Sequence, residues 1–477
     1  MSGTWETHGR SAAPLSAWFM CLIVILIACW VRWSTLTFES IWADEAFSIE
    51  LVGHGWLDVV RGTAADQHPP LYYLVLKLWT TGGLSVFQFR YLSAAFSILE
   101  VALVVAWGRK VFGLQAGLVA GLLLALSPLH TQWAQSVRMY SLVSLLCTLS
   151  CILLFRVIHG RRGLLACAVV NVLAFYTHNV AVFSVGVQLI LVSLFSARHK
   201  NWALAKNWIR TNLLLGLFYV PWLFVLYRQT TQNTMTWAGP LTPQALVRIF
   251  APLTPENVST EGAIASVVWL GCCALLALYG IWRARANREP VLFLFTWFFG
   301  ALFGMFLVSQ FVQFFVSKLL IWLLSPLFLL VGYGLQRLPS RWAKIVACGI
   351  LFGLLASALF AQQSRLDDQD CRGVAQLLDQ ETSAADIVLF NAGATSMCVD
   401  VYDDMDYAFL TYPVNYSVLE SGFQADKVTI EFADKTVSSM QEEYQGIWLV
   451  EFWPHWFDPG GYFEDRIQTS AIVEQEW

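Results

Sequence analysis

The stretch VLFLFTWFFGALFGMFLV, residues 291–308, runs for eighteen residues without one charge. A helix rises about 1.5 Å per residue, so this run crosses most of a hydrocarbon core about 30 Å thick. Similar runs occupy residues 17–31, 115–129 and 345–360. Only helices can carry such runs through lipid, because the bilayer core offers no partner to an open backbone N–H or C=O. Composition agrees. Of 477 residues 57% are hydrophobic, 13% are charged and 22 are Trp, whereas a soluble domain carries about 25% charged residues. The chain reads as a polytopic α-helical membrane protein.

Hydropathy predicts about eleven transmembrane helices, near 15–33, 88–107, 114–130, 139–157, 163–178, 181–197, 211–228, 263–282, 290–309, 318–336 and 343–362. The net charge of −4 hides a division. Residues 1–364 carry 24 Lys/Arg against 11 Asp/Glu, and residues 365–477 carry 5 against 22. This switch marks a domain boundary, with a transmembrane domain over 1–364 and an acidic domain over 365–477. With Met1 in the cytoplasm, 16 basic residues fall inside and eight outside before residue 365, the bias expected of cytoplasmic loops. Eleven spans then place the acidic domain outside the cytoplasm. The expected location is the cell's inner (plasma) membrane. The first span lacks a small-residue cleavage site and reads as an anchor.

Two outward segments are long. The first, 34–87, predicts a surface helix near 45–61 and holds the apolar stretch Leu71–Trp79, too short to span and read as interfacial. The second, 229–262, is rich in Thr and Pro. Gly113, Gly117 and Gly121 recur every four residues, a smooth strip that lets a neighbouring backbone approach closely. The tail reads as a small extracytoplasmic α/β domain. It has a helical pattern over 371–380 and β-rich runs at Asp386–Phe390, Val428–Phe432 and Gly446–Phe452.

The first outer segment holds six of the membrane half's acids, among them the adjacent pair Asp44-Glu45 after Ile41-Trp42-Ala43. A partly desolvated carboxylate at the membrane boundary can take a proton from an attacking hydroxyl, though a solvated loop would also carry such acids. In Asp66-Gln67-His68-Pro69-Pro70-Leu71-Tyr72-Tyr73 the prolines suit a helix entry, and His68 is either a proton carrier or a polar residue at a helix start. Ser127-Pro128-Leu129-His130 leads to Ser136-Val137-Arg138-Met139-Tyr140. Arg138 can hold phosphate oxygens through its planar fork or snorkel to the interface. His178, in Thr177-His178-Asn179, and Lys318 stand at outward helix ends, where both readings again apply.

Cys371 and Cys398 are the two cysteines outside the spans, and an oxidising compartment would let them pair. No His/Cys cluster has zinc spacing, so no metal site is read and a divalent metal finds no support. Asp368-Gln369-Asp370 and Asp404-Met405-Asp406 read as turn chemistry. Trp453, His455 and Trp456 suit either sugar stacking or core packing. The bases follow topology rather than one stripe, and the outer domain is acidic, so nucleic acid is excluded as a partner.

The ordered set formed by Asp44-Glu45, His68-Pro69-Pro70-Leu71-Tyr72-Tyr73, Phe89-Arg90-Tyr91-Leu92-Ser93, Ser127-Pro128 and Arg138-Met139-Tyr140-Ser141-Leu142 resembles the bacterial branch of the GT-C membrane glycosyltransferases. These are relatives of the protein O-mannosyltransferases and the lipid A aminoarabinose transferases. The motif match covers about residues 35–145, and the later spans agree by topology. Asp370-Cys371-Arg372-Gly373-Val374 with Asp386-Ile387-Val388 also looks like the tail of many such proteins.

The resemblance implies an enzyme that moves a sugar from a polyprenyl-phosphate donor to an acceptor hydroxyl on a lipid, glycan or protein. Transfer would occur at the outer face of the bilayer, with inversion. It implies Asp44 as general base with Glu45 orienting it, and Arg138 and Lys318 as ligands of the donor phosphate. His68, Tyr72, Arg90, His130, Tyr140 and His178 become candidate substrate-binding residues. Two positions depart from the pattern: Ser136 stands where members commonly carry Glu, and Lys318 where many carry Arg, which loses the bidentate fork. Two other readings compete: a transporter or flippase for lipid-linked glycans, and a non-catalytic envelope protein that binds or assembles glycans.

Overall fold

A computed structural model describes residues 15–80, 85–232, 260–284, 287–363, 369–403, 405–412, 417–419, 428–452 and 458–470. Most of the second outer loop, Asp368, Asp404, and the Trp453, His455 and Trp456 group lie outside the described residues. Internal contacts divide the chain into two units. The first comprises Met1–Leu36, Arg90–Leu223 and Thr234–Arg365, and the second comprises Thr37–Phe89, Phe224–Asn233 and Leu366–Trp477.

In chain order the helices up to Gln363 are α1 (Leu15–Trp33), α2 (Ala43–Gly53), α3 (Trp56–Ala65), α4 (Leu71–Trp79), α5 (Val86–Phe112), α6 (Leu114–Leu126), α7 (Pro128–Ala134), α8 (Tyr140–Ile158), α9 (Leu164–Thr177), α10 (Ala181–Arg198), α11 (Trp202–Gly216), α12 (Val220–Gln232), α13 (Thr260–Trp282), α14 (Arg288–Ser309), α15 (Leu324–Arg337) and α16 (Arg341–Gln363). A 3₁₀ turn, Ser317–Leu323, leads into α15.

Among the described residues nine helical spans are long and apolar enough to cross a membrane. The pair α6 and α7, bent by 60° at Ser127-Pro128, supplies a broken tenth, and the 14-residue α9 is a shorter apolar helix. The expected multi-pass architecture is therefore present. Proline sets the bend: Pro128 brings no N–H to continue α6 and suits the first position of α7, where Ser127 accepts from His130 N. The side chains of Leu213, Phe218 and Phe224 are exposed, as lipid-facing positions are.

Two of the three glycines, Gly117 and Gly121, pack as the spacing predicts, while Gly113 stands at the N-cap of α6 with φ +107°. A Cβ at Gly117 would collide with the backbone of Val105 and Arg109 on α5, and one at Gly121 with the Val105 side chain. Backbone cannot swing aside as a flexible side chain can. Gly117→Val should lower the unfolding free energy by about 1–3 kcal/mol, the usual cost of overpacking, as read by thermal unfolding in detergent.

In the second unit the segment after α1 forms α2, α3 and α4 rather than one surface helix near 45–61. The break falls at His54-Gly55, between the two helices, and Glu45, Ala46 and Leu51 of α2 are buried. Lys77 of α4 closes the end of α2 by donating to Val52 O at 2.9 Å, a cation at the negative end of a helix dipole. Gln229 of α12 does the same for α3, donating to Thr63 O and Asp66 O at 3.0 and 2.6 Å.

The tail continues as α17 (Cys371–Glu381), β1 (Asp386–Phe390), α18 (Gly393–Asp400), β2 (Ala408–Thr411), α19 (Ile430–Glu443), β3 (Gly446–Val450) and α20 (Tyr462–Ser470). The three strands are parallel in the order β2-β1-β3, so β1 is central. Its alternating side chains serve two cores. Ile387 and Leu389 meet Ala433, Val437, Met440 and Phe463 from α19 and α20, while Val388 and Phe390 meet Ala375, Leu378 and Val399 from α17 and α18. Burial on both faces explains why β1 reads as a continuous apolar run.

One expectation for the tail fails. Val428–Phe432 leads into helix α19, which begins at Ile430, and is not a strand, because Thr429 Oγ1 caps the first turn by accepting from Phe432 N at 3.2 Å. Ala433, Val437 and Met440 then fall on one helical face. Asp370 caps α17 by accepting from Gly373 N at 2.9 Å, the turn chemistry read from its triplet. A disulfide joins Cys371 to Cys398, tying α17 to α18.

Candidate active site

Helix α2 starts at Trp42-Ala43 with the Ala43 N–H satisfied by Gln369 Oε1 at 3.0 Å. Asp44 and Glu45 occupy its first turn, where the helix dipole favours negative charge. Their environments differ: Asp44 is half-buried and Glu45 is fully buried. A carboxylate kept in contact with solvent can exchange a proton with it. His68 is half-buried ahead of Pro69-Pro70. Tyr72 is fully buried, edge-on to Tyr73 with ring centroids 5.7 Å apart, and Tyr73 packs on Phe47 of α2.

A second cluster belongs to the membrane unit. Arg138, in the turn before α8, is 3% exposed. Lys318, in the 3₁₀ turn before α15, places its Nζ 5.6 Å from the Tyr140 ring and 5.7 Å from the Trp133 ring. Both contacts are cation–π in geometry and hold the ammonium on aromatic walls. Tyr140 in turn lies 5.7 Å from the His178 ring.

His178 sits in the turn between α9 and α10. It is buried, and the charges of Lys318 and Arg138 both act on it. Its Nδ1 accepts from Val180 N at 3.0 Å, so the neutral ring carries its proton on Nε2. The structure thus gathers Arg138, Tyr140, His178 and Lys318, four of the residues singled out in the sequence, and adds Trp133.

The other candidates are placed differently. Arg90 is 2% exposed and donates from Nη1 to Leu36 O at 3.0 Å. His130 is fully buried on α7, with Glu100 on one ring nitrogen and Arg32 and Ser97 on the other. Arg32 and Glu100 escaped the sequence reading. Glu100 had a signal, as a carboxylate within an apolar span. Among the described residues no three His, Cys, Asp or Glu side chains gather as metal ligands.

Residues 67–225, a third of the chain, match the dolichyl-phosphate-mannose-protein mannosyltransferase family. No curated protein matches the sequence. Among solved structures the fold is similar to ArnT from Cupriavidus metallidurans bound to undecaprenyl phosphate, with a TM-score of 0.58 and 14% identity over 91% of this chain and 90% of that one. The apo state of that protein gives 0.57 and 14% over 83% and 86%. The archaeal oligosaccharyltransferase AglB from Archaeoglobus fulgidus, in complex with an inhibitory peptide and a dolichol-phosphate, gives 0.55 and 9% over 86% of this chain and 65% of that one. At these identities the likeness is one of fold. The chain has the fold of the GT-C membrane glycosyltransferases.

Proposed function

We propose that this GT-C-fold chain is a glycosyltransferase that moves a sugar from a polyprenyl-phosphate donor to an acceptor hydroxyl at the outer face of the plasma membrane. The observation that carries this reading is the gathering of Arg138 and Lys318 around Tyr140, Trp133 and His178. Two cations beside one set of aromatic walls suit an anion of more than one charge, such as a phosphate. A neutral His178 is suited to this task, since its Nε2–H donates without adding a third positive charge. The fold relative that binds undecaprenyl phosphate supports the choice of a lipid phosphate as that anion.

Chemistry then assigns the remaining roles. A hydroxyl is too weak an acid to ionise in advance, so its proton must leave as its oxygen bonds to the anomeric carbon. Asp44 takes that proton, and buried Glu45 holds the first turn of α2 that orients it. The bond from the anomeric carbon to the phosphate oxygen breaks with its electron pair on the phosphate. Arg138 and Lys318 receive that growing charge. Attack from the face opposite the departing phosphate inverts the anomeric configuration. With α1 entering from the cytoplasm, the acidic tail lies outside it.

The test is transfer by the purified full-length chain from a synthetic polyprenyl-phosphate sugar, with product linkage read by NMR. Mass spectrometry of envelope glycolipids and glycans with and without the chain would identify the acceptor. Product of inverted configuration is expected. Movement of the intact lipid-linked sugar across vesicles with no glycosidic product would overturn the reading in favour of a transporter.

A further inference from the structure

Arg32 of α1, Glu100 of α5 and His130 of α7 are each fully buried within the membrane unit, although residues 32 and 130 lie far apart in the chain. Ionisable groups at membrane depth are costly and persist where they have a task. Here the protons can be placed by geometry. Arg32 Nη2 can only donate, and it lies 2.9 Å from His130 Nδ1, so that nitrogen carries no proton. The ring's proton is therefore on Nε2, which donates to Glu100 Oε2 at 3.1 Å. The other carboxylate oxygen accepts from Thr148 Oγ1 at 2.9 Å and Ser325 Oγ at 2.7 Å. A positive guanidinium, a neutral ring and a carboxylate form one satisfied chain.

The elements it joins are informative. Arg32 also donates to Ala125 O at 3.0 Å, filling a carbonyl left open where α6 breaks. His130 is on α7, which runs through Trp133 towards Arg138. Ser325 is the second residue of α15, directly after the 3₁₀ turn that carries Lys318.

We propose that Glu100 is a positioning residue that ties the α7 segment leading to Arg138 and the turn carrying Lys318 to a single carboxylate, fixing the spacing of the two cations for one phosphate group. This rests on the phosphate-binding reading above. A site holds its geometry when the residues behind it are themselves locked by packing and hydrogen bonds. Glu100 touches neither cation and acts through His130 and Ser325.

The experiment uses the full-length chain in nanodiscs with undecaprenyl phosphate as the probe, measuring affinity and the melting temperature without ligand. Glu100→Gln and Ser325→Ala should each weaken binding about tenfold, or about 1.4 kcal/mol. In turnover the loss should fall on the donor KM rather than on kcat. Gln188→Leu, which disrupts a separate buried network with Asn171 and Ser150, should lower the melting temperature at unchanged affinity.

Wild-type affinity in Glu100→Gln and Ser325→Ala, with Arg138→Ala impaired, would overturn the proposal and leave the phosphate site standing. Wild-type affinity in Arg138→Ala would remove the phosphate site and the proposal together. Affinity that merely tracks melting temperature across all variants, Gln188→Leu included, would reduce Glu100 to a structural role. Should Glu100→Gln fail to fold, Ser325→Ala decides, because it removes one hydroxyl and no charge.

Discussion

Asp44→Asn should lower kcat for sugar transfer by about 10²–10⁴-fold, the range a positioned general base contributes. The substitution keeps size and one acceptor oxygen while removing the basicity that captures the hydroxyl proton. Asp44 is half-buried in the first turn of an 11-residue helix whose opposite end is closed by Lys77. Folding should survive, and undecaprenyl phosphate should still bind. Glu45 differs because it is fully buried. Glu45→Gln should reduce activity together with melting temperature. A substituted Asp44 that turned over donor at the wild-type rate would remove it from the chemistry.

Removing Arg138 should weaken undecaprenyl phosphate binding by about 10–100-fold, since a hydrogen bond to a charged partner is worth about 1.5–3 kcal/mol. Arg138→Lys should recover only part of this, because an ammonium lacks the planar fork that matches two phosphate oxygens. Lys318→Met should cost less, having a point charge to lose, and its stem can still pack on Trp133 and Tyr140. The two cations share one neighbourhood and both act on His178. Their effects should therefore be non-additive, with the double variant losing less than the sum of the singles. Calorimetric titration of all three variants reads this directly. Additive losses would mean that the residues serve separate ligands.

Much of this molecule is legible along the chain. An apolar run such as 291–308 must be a span wherever it sits, because lipid leaves a backbone no other option. The glycine strip on α6 was legible for the same kind of reason, a local spacing with one steric use. The run at Val428–Phe432 was misread because β-branched residues there suit a strand, while the Thr429 cap and the apolar spacing beyond it favour a helix. Arg138, Tyr140, His178 and Lys318 could be named one by one as charged or polar groups at helix ends. Their meeting could not be seen.

The sequence by itself determined the membrane class, the spans and the small α/β tail, since hydropathy, charge bias and capping act between neighbours in the chain. Only the tertiary structure decided which buried charges meet, because Arg32, Glu100, His130 and Ser325 lie on four separate helices. Within apolar helices a lone ionisable residue announces that a partner must exist. Which partner it finds depends on how the helices pack, and no local pattern encodes that.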